Sequence, residues 1–146
     1  MNFKELKRKV DLAISKFYAR DLGLLDITVS EWAIAHRIAV YLEELFEGWN
    51  VDCEYNRAGP SKLPKYARDG TNKRPDIVIH HRTMPEKEHN LLVIEIKTDN
   101  SSEDYSKLKD FTSSPNGARH FQYQYGLALS FKPRLKKKWF PEGELG

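Results

Sequence analysis

The chain has little of what marks secreted, membrane-spanning or zinc-stapled proteins. Cys53 is its only cysteine, which excludes an intramolecular disulfide framework and a cysteine-based zinc site. Its place in an apolar alternation predicts a buried thiol on a strand. No run of about 18 apolar residues occurs, and the segment from Met1 to Arg20 is charged and amphipathic, unlike a signal peptide. We therefore expect an intracellular, cytoplasmic protein with no membrane partner.

The size of the chain predicts one domain. Its 146 residues, 40% of them hydrophobic, suffice for one core and are too few for two ordinary domains. Charged residues make up 31%, but the net charge is only +3, so self-repulsion does not favour disorder. We expect a single domain over 1–146, with an N-terminal helical addition at 1–29, a core at 30–131 and a basic, aromatic tail at 132–146.

Three segments have the patterns of helices. Apolar residues recur at helical spacing from Met1 to Arg20. Ser30 is an N-cap candidate for a second helix that closes near Gly48, and Ser102 for a short third one. The buried stripe of the second helix is predicted to contain Ile34, Ile38, Leu42 and Leu45.

Four segments have the patterns of strands. Trp49 to Tyr55 alternates apolar and polar residues, and Asp76–His80 and Leu91–Lys97 are β-branched or apolar runs that we expect to be adjacent central strands. Phe121 to Phe131 alternates aromatic and aliphatic residues as a fourth strand, whereas Arg57 to Arg74 reads as a loop. The order α-α-β-β-β-α-β predicts an α/β fold.

Two charged residues close an otherwise apolar strand. In Leu91–Lys97 the period of two places Glu95 and Lys97 on one face, roughly 7 Å apart along the strand. Buried charges need partners or a metal, because unpaired ones are strongly disfavoured. The alternative is that both lie at an exposed strand end and pair with each other or with loop charges.

Asp76 is placed to join Glu95. It follows Pro75, whose missing N–H favours a strand entry, so two carboxylates are expected to converge across neighbouring strands. Such oxygen ligands, completed by a backbone carbonyl and waters, suit Mg²⁺ or Mn²⁺ far better than zinc. An ordinary turn aspartate is the alternative for Asp76.

Glu31 is the third candidate carboxylate. At about 100° per residue it projects near the core-facing stripe of the second helix. This favours a role at the metal site, reached from a helix that lies on the sheet. A glutamate in the first helical turn also compensates the helix dipole, and that alternative stays open.

The order of these helices, strands and charged residues resembles the core of the PD-(D/E)XK, or restriction-endonuclease-like, nuclease superfamily. The resemblance rests on Glu31 in a helix, a strand, Arg74-Pro75-Asp76 opening a strand, and Glu95-Ile96-Lys97 closing the next one, followed by helix and strand. It covers about residues 31 to 131. It implies an αβββαβ core with a mixed central sheet flanked by helices, and an extra N-terminal helix.

The resemblance also implies metal-dependent hydrolysis of phosphodiester bonds, with DNA favoured over RNA. Asp76, Glu95 and the carbonyl of Ile96 would hold Mg²⁺, Lys97 would position or deprotonate the attacking water, and Glu31 would ligate a second metal or orient a metal-bound water. Glu54 could join them, although its position favours a solvated strand glutamate. Cutting both strands of a duplex would favour a two-fold homodimer.

Basic residues indicate where a phosphate backbone would bind. The Arg57–Arg74 segment has six basic residues against one acidic residue and leads into the strand that Asp76 opens. The predicted nucleic-acid contacts are Arg57, Lys62, Lys65, Arg68, Lys73 and Arg74. A second run, Lys132 to Lys138, precedes Trp139 and Phe140 and could hold a strand end, or could be only a solvated face.

Two other functions remain open. A nucleic-acid-binding or assembly module could keep the fold without cutting, although Asp76, Glu95 and Lys97 are all present. A metal-dependent RNA endonuclease would use the same carboxylates plus a histidine, and His36, the only helical candidate, is predicted to point away from Glu31. His80, His81 and His89 are not expected to form a zinc set.

Overall fold

The computed structural model describes residues 1–27, 31–55, 74–97, 105–113 and 122–143, and the backbone of 57–58 and 63–64. These residues form helices packed on a mixed five-stranded sheet, which confirms the predicted α/β class. Among them, no helix is both long and apolar enough to cross a membrane.

Three helices precede the sheet. Helix α1 spans Phe3–Arg20, α2 spans Gly23–Asp26 and α3 spans Glu31–Leu45. The side chain of Asn2 caps α1 by accepting a 2.8 Å hydrogen bond from the N–H of Glu5. The predicted N-caps Ser30 and Ser102 lie outside the described residues.

The strands follow the predicted order with additions. Strand β1 spans Asn50–Cys53, β4 spans Ile77–His80, β5 spans Asn90–Lys97 and β6 spans Tyr125–Ser130. Helix α4, Ser106–Thr112, connects β5 to β6. Within the segment expected to be a loop, β2 (Arg57–Ala58) and β3 (Leu63–Pro64) form a separate antiparallel hairpin. Strand β7, Lys136–Phe140, was not predicted.

The sheet order is β1-β4-β5-β6-β7. Only β5 and β6 run parallel, because the connection through α4 returns the chain to the same edge of the sheet, as a crossover helix does. Strands β4 and β5 are adjacent, as the sequence predicted, and they run antiparallel with Ile77 opposite Ile94. The start of β4 therefore lies beside the end of β5.

The two faces of the sheet bury different helices. Leu92, Ile94 and Ile96 of β5 pack into the core that includes α1 and α3. Val93 packs with Leu108 of α4 and Phe140 of β7 in a second cluster. Glu95 lies between the even-numbered residues of β5, so its side chain belongs to the face covered by α4.

The buried stripe of α3 agrees with its sequence pattern. Ile34, Ile38 and Leu42 are almost completely buried, and Leu45 is half-buried against the same core. The predicted burial of Cys53 is wrong, because this residue ends β1 at the edge strand of the sheet and is exposed. Alternation identified the strand, but the exposure of its last residue depends on what the neighbouring elements cover.

The expected basic tail is partly built into the sheet. Strand β7 pairs antiparallel with β6, and Phe140 is buried. Trp139 packs edge-on against Phe3 of α1 at 5.1 Å between ring centroids, and Lys137 Nζ lies 2.6 Å from Asp11 Oδ1. The aromatic residues of this segment thus serve packing, and part of its charge is paired within the domain.

Candidate active site

Asp76 is held by a backbone hydrogen bond that links two strands. It directly precedes β4, after the buried Pro75, and its Oδ2 accepts a 2.7 Å hydrogen bond from the N–H of Ile96 in β5. The N–H and C=O of one strand residue point to the same side, so the Ile96 carbonyl also faces β4. The next residue, Lys97, points the other way, toward β6: its carbonyl accepts a 3.3 Å hydrogen bond from the N–H of Phe131.

Glu95 is the second carboxylate at this end of the sheet. Its side chain is only 15% exposed, and Lys107 of α4 donates a 3.2 Å hydrogen bond from Nζ to its Oε2. The same Nζ lies 3.2 Å from Oε1 as an ion-pair contact. Oε1 is buried and accepts no hydrogen bond within the described part of the chain. Asp76 also lies within hydrogen-bonding distance of the Glu95 carboxyl group, so the two carboxyl groups can share a proton.

The two carboxyl groups disturb each other. Burial, with the negative charge of Asp76 second, raises the pKa of Glu95 to about 7, although the Lys107 ammonium opposes both effects. Burial also raises the pKa of Asp76, against the stabilising hydrogen bond from the Ile96 amide. Two carboxylates this close do not both stay ionised unless a cation offsets their charge; without one, one of the pair binds a proton.

These residues fit a hard divalent cation. Two carboxylates meet at the entry to β4, their charge has to be offset by a proton or a cation, and a main-chain carbonyl faces the same place. Oxygen donors of this kind are the ligands of Mg²⁺ and Mn²⁺. Among the described residues, no group of three His, Cys, Asp or Glu side chains could hold a metal ion, so waters or substrate oxygens would complete the coordination shell.

The cation nearest Glu95 is Lys107, which the sequence did not single out. Lys97 lies at the end of β5 and is exposed, on the same face as Glu95 by the strand period. Lys107 precedes the buried Leu108, so it sits at the edge of the buried face of α4. The sequence does contain a signal for Lys107: this lysine flanks the apolar stripe of the helix that follows the Glu95 strand.

Helix α3 approaches from the other layer. Glu31 is its first residue and is half-buried, and its predicted metal role stays a prediction. The same helix contributes Trp32 and His36 to a cavity of about 270 Å³ that Asp76 also lines. His36 is exposed and lines this cavity together with Asp76. The expectation that it points away from Glu31 stays a prediction.

Glu54 is predicted to be a solvated strand residue, but in the structure it lies just after β1, at the cavity. It follows β1 with a left-handed backbone, φ +53°, and lines the same cavity as Asp76. Its N–H donates a 3.1 Å hydrogen bond to the Asp76 carbonyl, which ties the two segments together.

The basic segment is only partly described. The side chains of Arg57, Lys62, Lys65, Arg68 and Lys73 lie outside the described residues, and their predicted contacts with nucleic acid stay predictions. Arg74 is exposed and lies two residues before Asp76. One of the predicted nucleic-acid contacts, Arg74, is therefore close in sequence to the carboxylate pair.

The histidines of the β4–β5 region have other partners. His80 is buried and its Nε2 lies 2.8 Å from Asp52 Oδ2, while Arg82 binds both oxygens of the same carboxylate. The Nε2 of His81 contacts the Gly48 carbonyl at 2.9 Å, and its Nδ1 lies 2.9 Å from the Nδ1 of His89. Since a carbonyl can only accept, His81 donates from Nε2 and, when neutral, accepts from His89 at Nδ1.

No protein-family model, curated protein or solved structure matches this chain.

Proposed function

We propose that this protein is a Mg²⁺-dependent nuclease that hydrolyses phosphodiester bonds of nucleic acid, with DNA favoured over RNA. One observation carries the proposal: the largely buried Asp76–Glu95 carboxyl pair, whose negative charge a cation would offset, with its flanking ammonium. The order α3-β1-β4-β5-α4-β6 supports a restriction-endonuclease-like core, since it repeats the αβββαβ order of that superfamily.

Asp76, Glu95 and the Ile96 carbonyl would hold the cation. When bound, Mg²⁺ polarises a phosphate and lowers the pKa of a coordinated water. The Ile96 amide fixes the orientation of the Asp76 carboxylate, so that little reorganisation is needed when substrate arrives. Both carboxylates must lose their protons to act as ligands, and their raised pKa values make that step dependent on pH.

Lys107 and Lys97 are two candidates for the role that the resemblance gives to one lysine. Lys107 Nζ is already within 3.2 Å of Glu95, where its charge would offset negative charge developing on the phosphate. Lys97 shares the strand face of Glu95 and is exposed to an approaching substrate. We favour Lys107 for charge stabilisation and keep Lys97 for positioning the attacking water.

RNA cleavage is a second candidate because one observation favours it. His36 lines the cavity that contains Asp76, and a histidine beside the carboxylates is what a metal-dependent RNA endonuclease would use. Substrate choice therefore has to be part of the first experiment.

The test is cleavage of labelled single- and double-stranded DNA and RNA with Mg²⁺, Mn²⁺ or EDTA. We expect metal-dependent cleavage that falls by roughly 10²–10³-fold in Glu95→Gln and Lys107→Ala, the range for loss of one group that stabilises a transition state. Lys109→Ala, on the exposed side of the same helix, is the matched control and should cut normally.

The variants also separate the two lysines. Full cleavage activity in Lys107→Ala, together with loss of cleavage in Lys97→Ala, would show that Lys97 and not Lys107 stabilises the developing charge. Salt-sensitive binding without cleavage in any metal would replace the enzyme with a non-catalytic nucleic-acid-binding module.

A further inference from the structure

The cavity beside Asp76 contains groups that hydrolysis does not require. Its wall is made by one turn of α3 and by the end of β1, and its volume is about 270 Å³. That is slightly below the roughly 300–1,000 Å³ of pockets for drug-sized ligands, so it suits one flat ring system. Among the described residues, the cavity is lined by Trp32, Ala35, His36, Cys53, Glu54 and Asp76.

Trp32 offers an uncovered aromatic face at this cavity. It is 64% exposed, although α3 buries most of its other large apolar residues. The indole is carried by a helix that is packed on the sheet, so few degrees of freedom are lost when a ligand stacks on it. Stacking of a base on such a ring is worth about 1–3 kcal/mol and does not depend on base sequence.

Glu54 adds a hydrogen-bond acceptor at a fixed place. Its left-handed backbone, φ +53°, is disfavoured for a side chain other than glycine and is maintained by the hydrogen bond to the Asp76 carbonyl. Strained residues of this kind cluster where position matters for function. An ionised carboxylate only accepts hydrogen bonds, so it favours a ligand edge that carries N–H groups.

We propose that this cavity binds one unpaired base that carries an exocyclic amino group, next to the phosphate held at the carboxylate pair. Trp32 stacks on the base, and Glu54 accepts a hydrogen bond from its amino group. Adenine, cytosine and guanine have such a group, whereas thymine and uracil do not.

The proposal rests on the proposed nuclease function and narrows its substrate class to single-stranded or locally unpaired nucleic acid. In a duplex the faces of a base are stacked and its pairing edge is occupied, so the cavity would take a base only after it left the stack, at a cost of a few kcal/mol.

Cys53 allows base binding to be measured without cleavage. It is the only cysteine, it is exposed, and it lines the cavity. Desolvation of the sulfur raises the pKa of its thiol, so alkylation is followed at about pH 9, where more of the thiolate forms. The ligands are the octanucleotides of deoxycytidine and thymidine, in EDTA. The two bases have the same ring size, but thymine has a carbonyl oxygen in place of the amino group, an N3–H and a 5-methyl group.

We expect the deoxycytidine octamer to protect Cys53 at concentrations about ten-fold lower than the thymidine octamer. Trp32→Ala should raise the protecting concentration about ten-fold, because about 1.4 kcal/mol of stacking corresponds to a factor of ten. Trp32→Phe should keep part of the protection. Glu54→Gln should remove the preference between the octamers, since an amide can also donate to a thymine oxygen.

Met84→Ala is the control, an exposed apolar residue beyond the far end of β4 that should change nothing. Equal protection by both octamers, or unchanged protection in Trp32→Ala, would overturn the base site even if the wild type cuts DNA. Protection with the expected preference in a protein that cleaves no substrate with Mg²⁺ would keep the base site and reject the nuclease.

Discussion

Glu95 should make the metal-free protein less stable as the pH rises. Burial, with the charge of Asp76 second, raises its pKa from 4.5 to about 7 in the folded state, whereas the unfolded chain keeps the ordinary value. Between these two pKa values the folded state binds more protons than the unfolded state, so the free energy of unfolding falls as the pH increases from about 4.5 to about 7. The loss is complete above that range.

The size of the effect follows from the shift. Each pKa unit corresponds to about 1.36 kcal/mol, so ionised Glu95 costs up to about 3 kcal/mol at pH 8. Glu95→Gln keeps the shape of the side chain and removes the charge. It should therefore raise the free energy of unfolding at pH 8 by about 2–3 kcal/mol. At pH 4.5, where the wild-type carboxyl is protonated, it should change little.

The assay is urea unfolding of both proteins in EDTA across this pH range. Taking the difference between the two proteins cancels the contributions of the other ionisable groups, which both proteins share. Mg²⁺ should stabilise the wild type more at pH 8 than at pH 5.5, because protons compete for the same oxygens, and should stabilise Glu95→Gln less. A variant that is equally destabilised at both pH values would refute the raised pKa.

Three further outcomes test the packing around the site. Asp52→Ala should lower the free energy of unfolding by about 2–4 kcal/mol, because it removes the carboxylate that contacts the buried His80. Asp11→Ala removes a partly exposed ion pair and should cost less than about 1 kcal/mol. Similar losses in urea unfolding would contradict this. Gly126→Ala should lower the melting temperature, since a Cβ there would lie 3.2 Å from a methyl carbon of α4. Gly23→Ala is the control: its Cβ meets nothing within 4 Å, so the melting temperature should not fall. Equal melting temperatures of the two variants in thermal unfolding would contradict this. Tyr41→Phe should lower the free energy of unfolding by about 1–2 kcal/mol, because it removes the buried hydroxyl that joins α3 to Asp21, the residue after α1. An unchanged denaturation midpoint would show that this hydrogen bond contributes nothing.

Local periodicity predicted most of the regular structure. The helical spacing before Arg20, the stripe of α3 and the apolar run of β5 each depend on a few neighbouring residues, and each was found within a few positions of its predicted bounds. Strand β7 was missed because its lysines suggested a solvated tail. Its apolar residues are buried by partners on α1 and α4, which the local sequence does not contain.

Of the candidate site, the sequence predicted the strand positions of Asp76 and Glu95 and the face shared by Glu95 and Lys97. Those follow from the period of two and from a proline at a strand entry. The sequence could not predict the hydrogen bond from Ile96 to Asp76, because that bond depends on the register between β4 and β5. Register is a relation between two strands and is decided by how both bury their apolar residues.

What the sequence determined by itself is therefore the class of elements and the type of chemistry available: an α/β chain with two carboxylates and a lysine at the ends of central strands. Only the tertiary structure decided which groups meet. It brought Lys107 to Glu95 from a helix twelve residues away, and it opened a cavity where Trp32 and Glu54 stand beside Asp76. The physical reason is that side-chain direction along one element is a local property, whereas distance between elements is set by packing of the whole core.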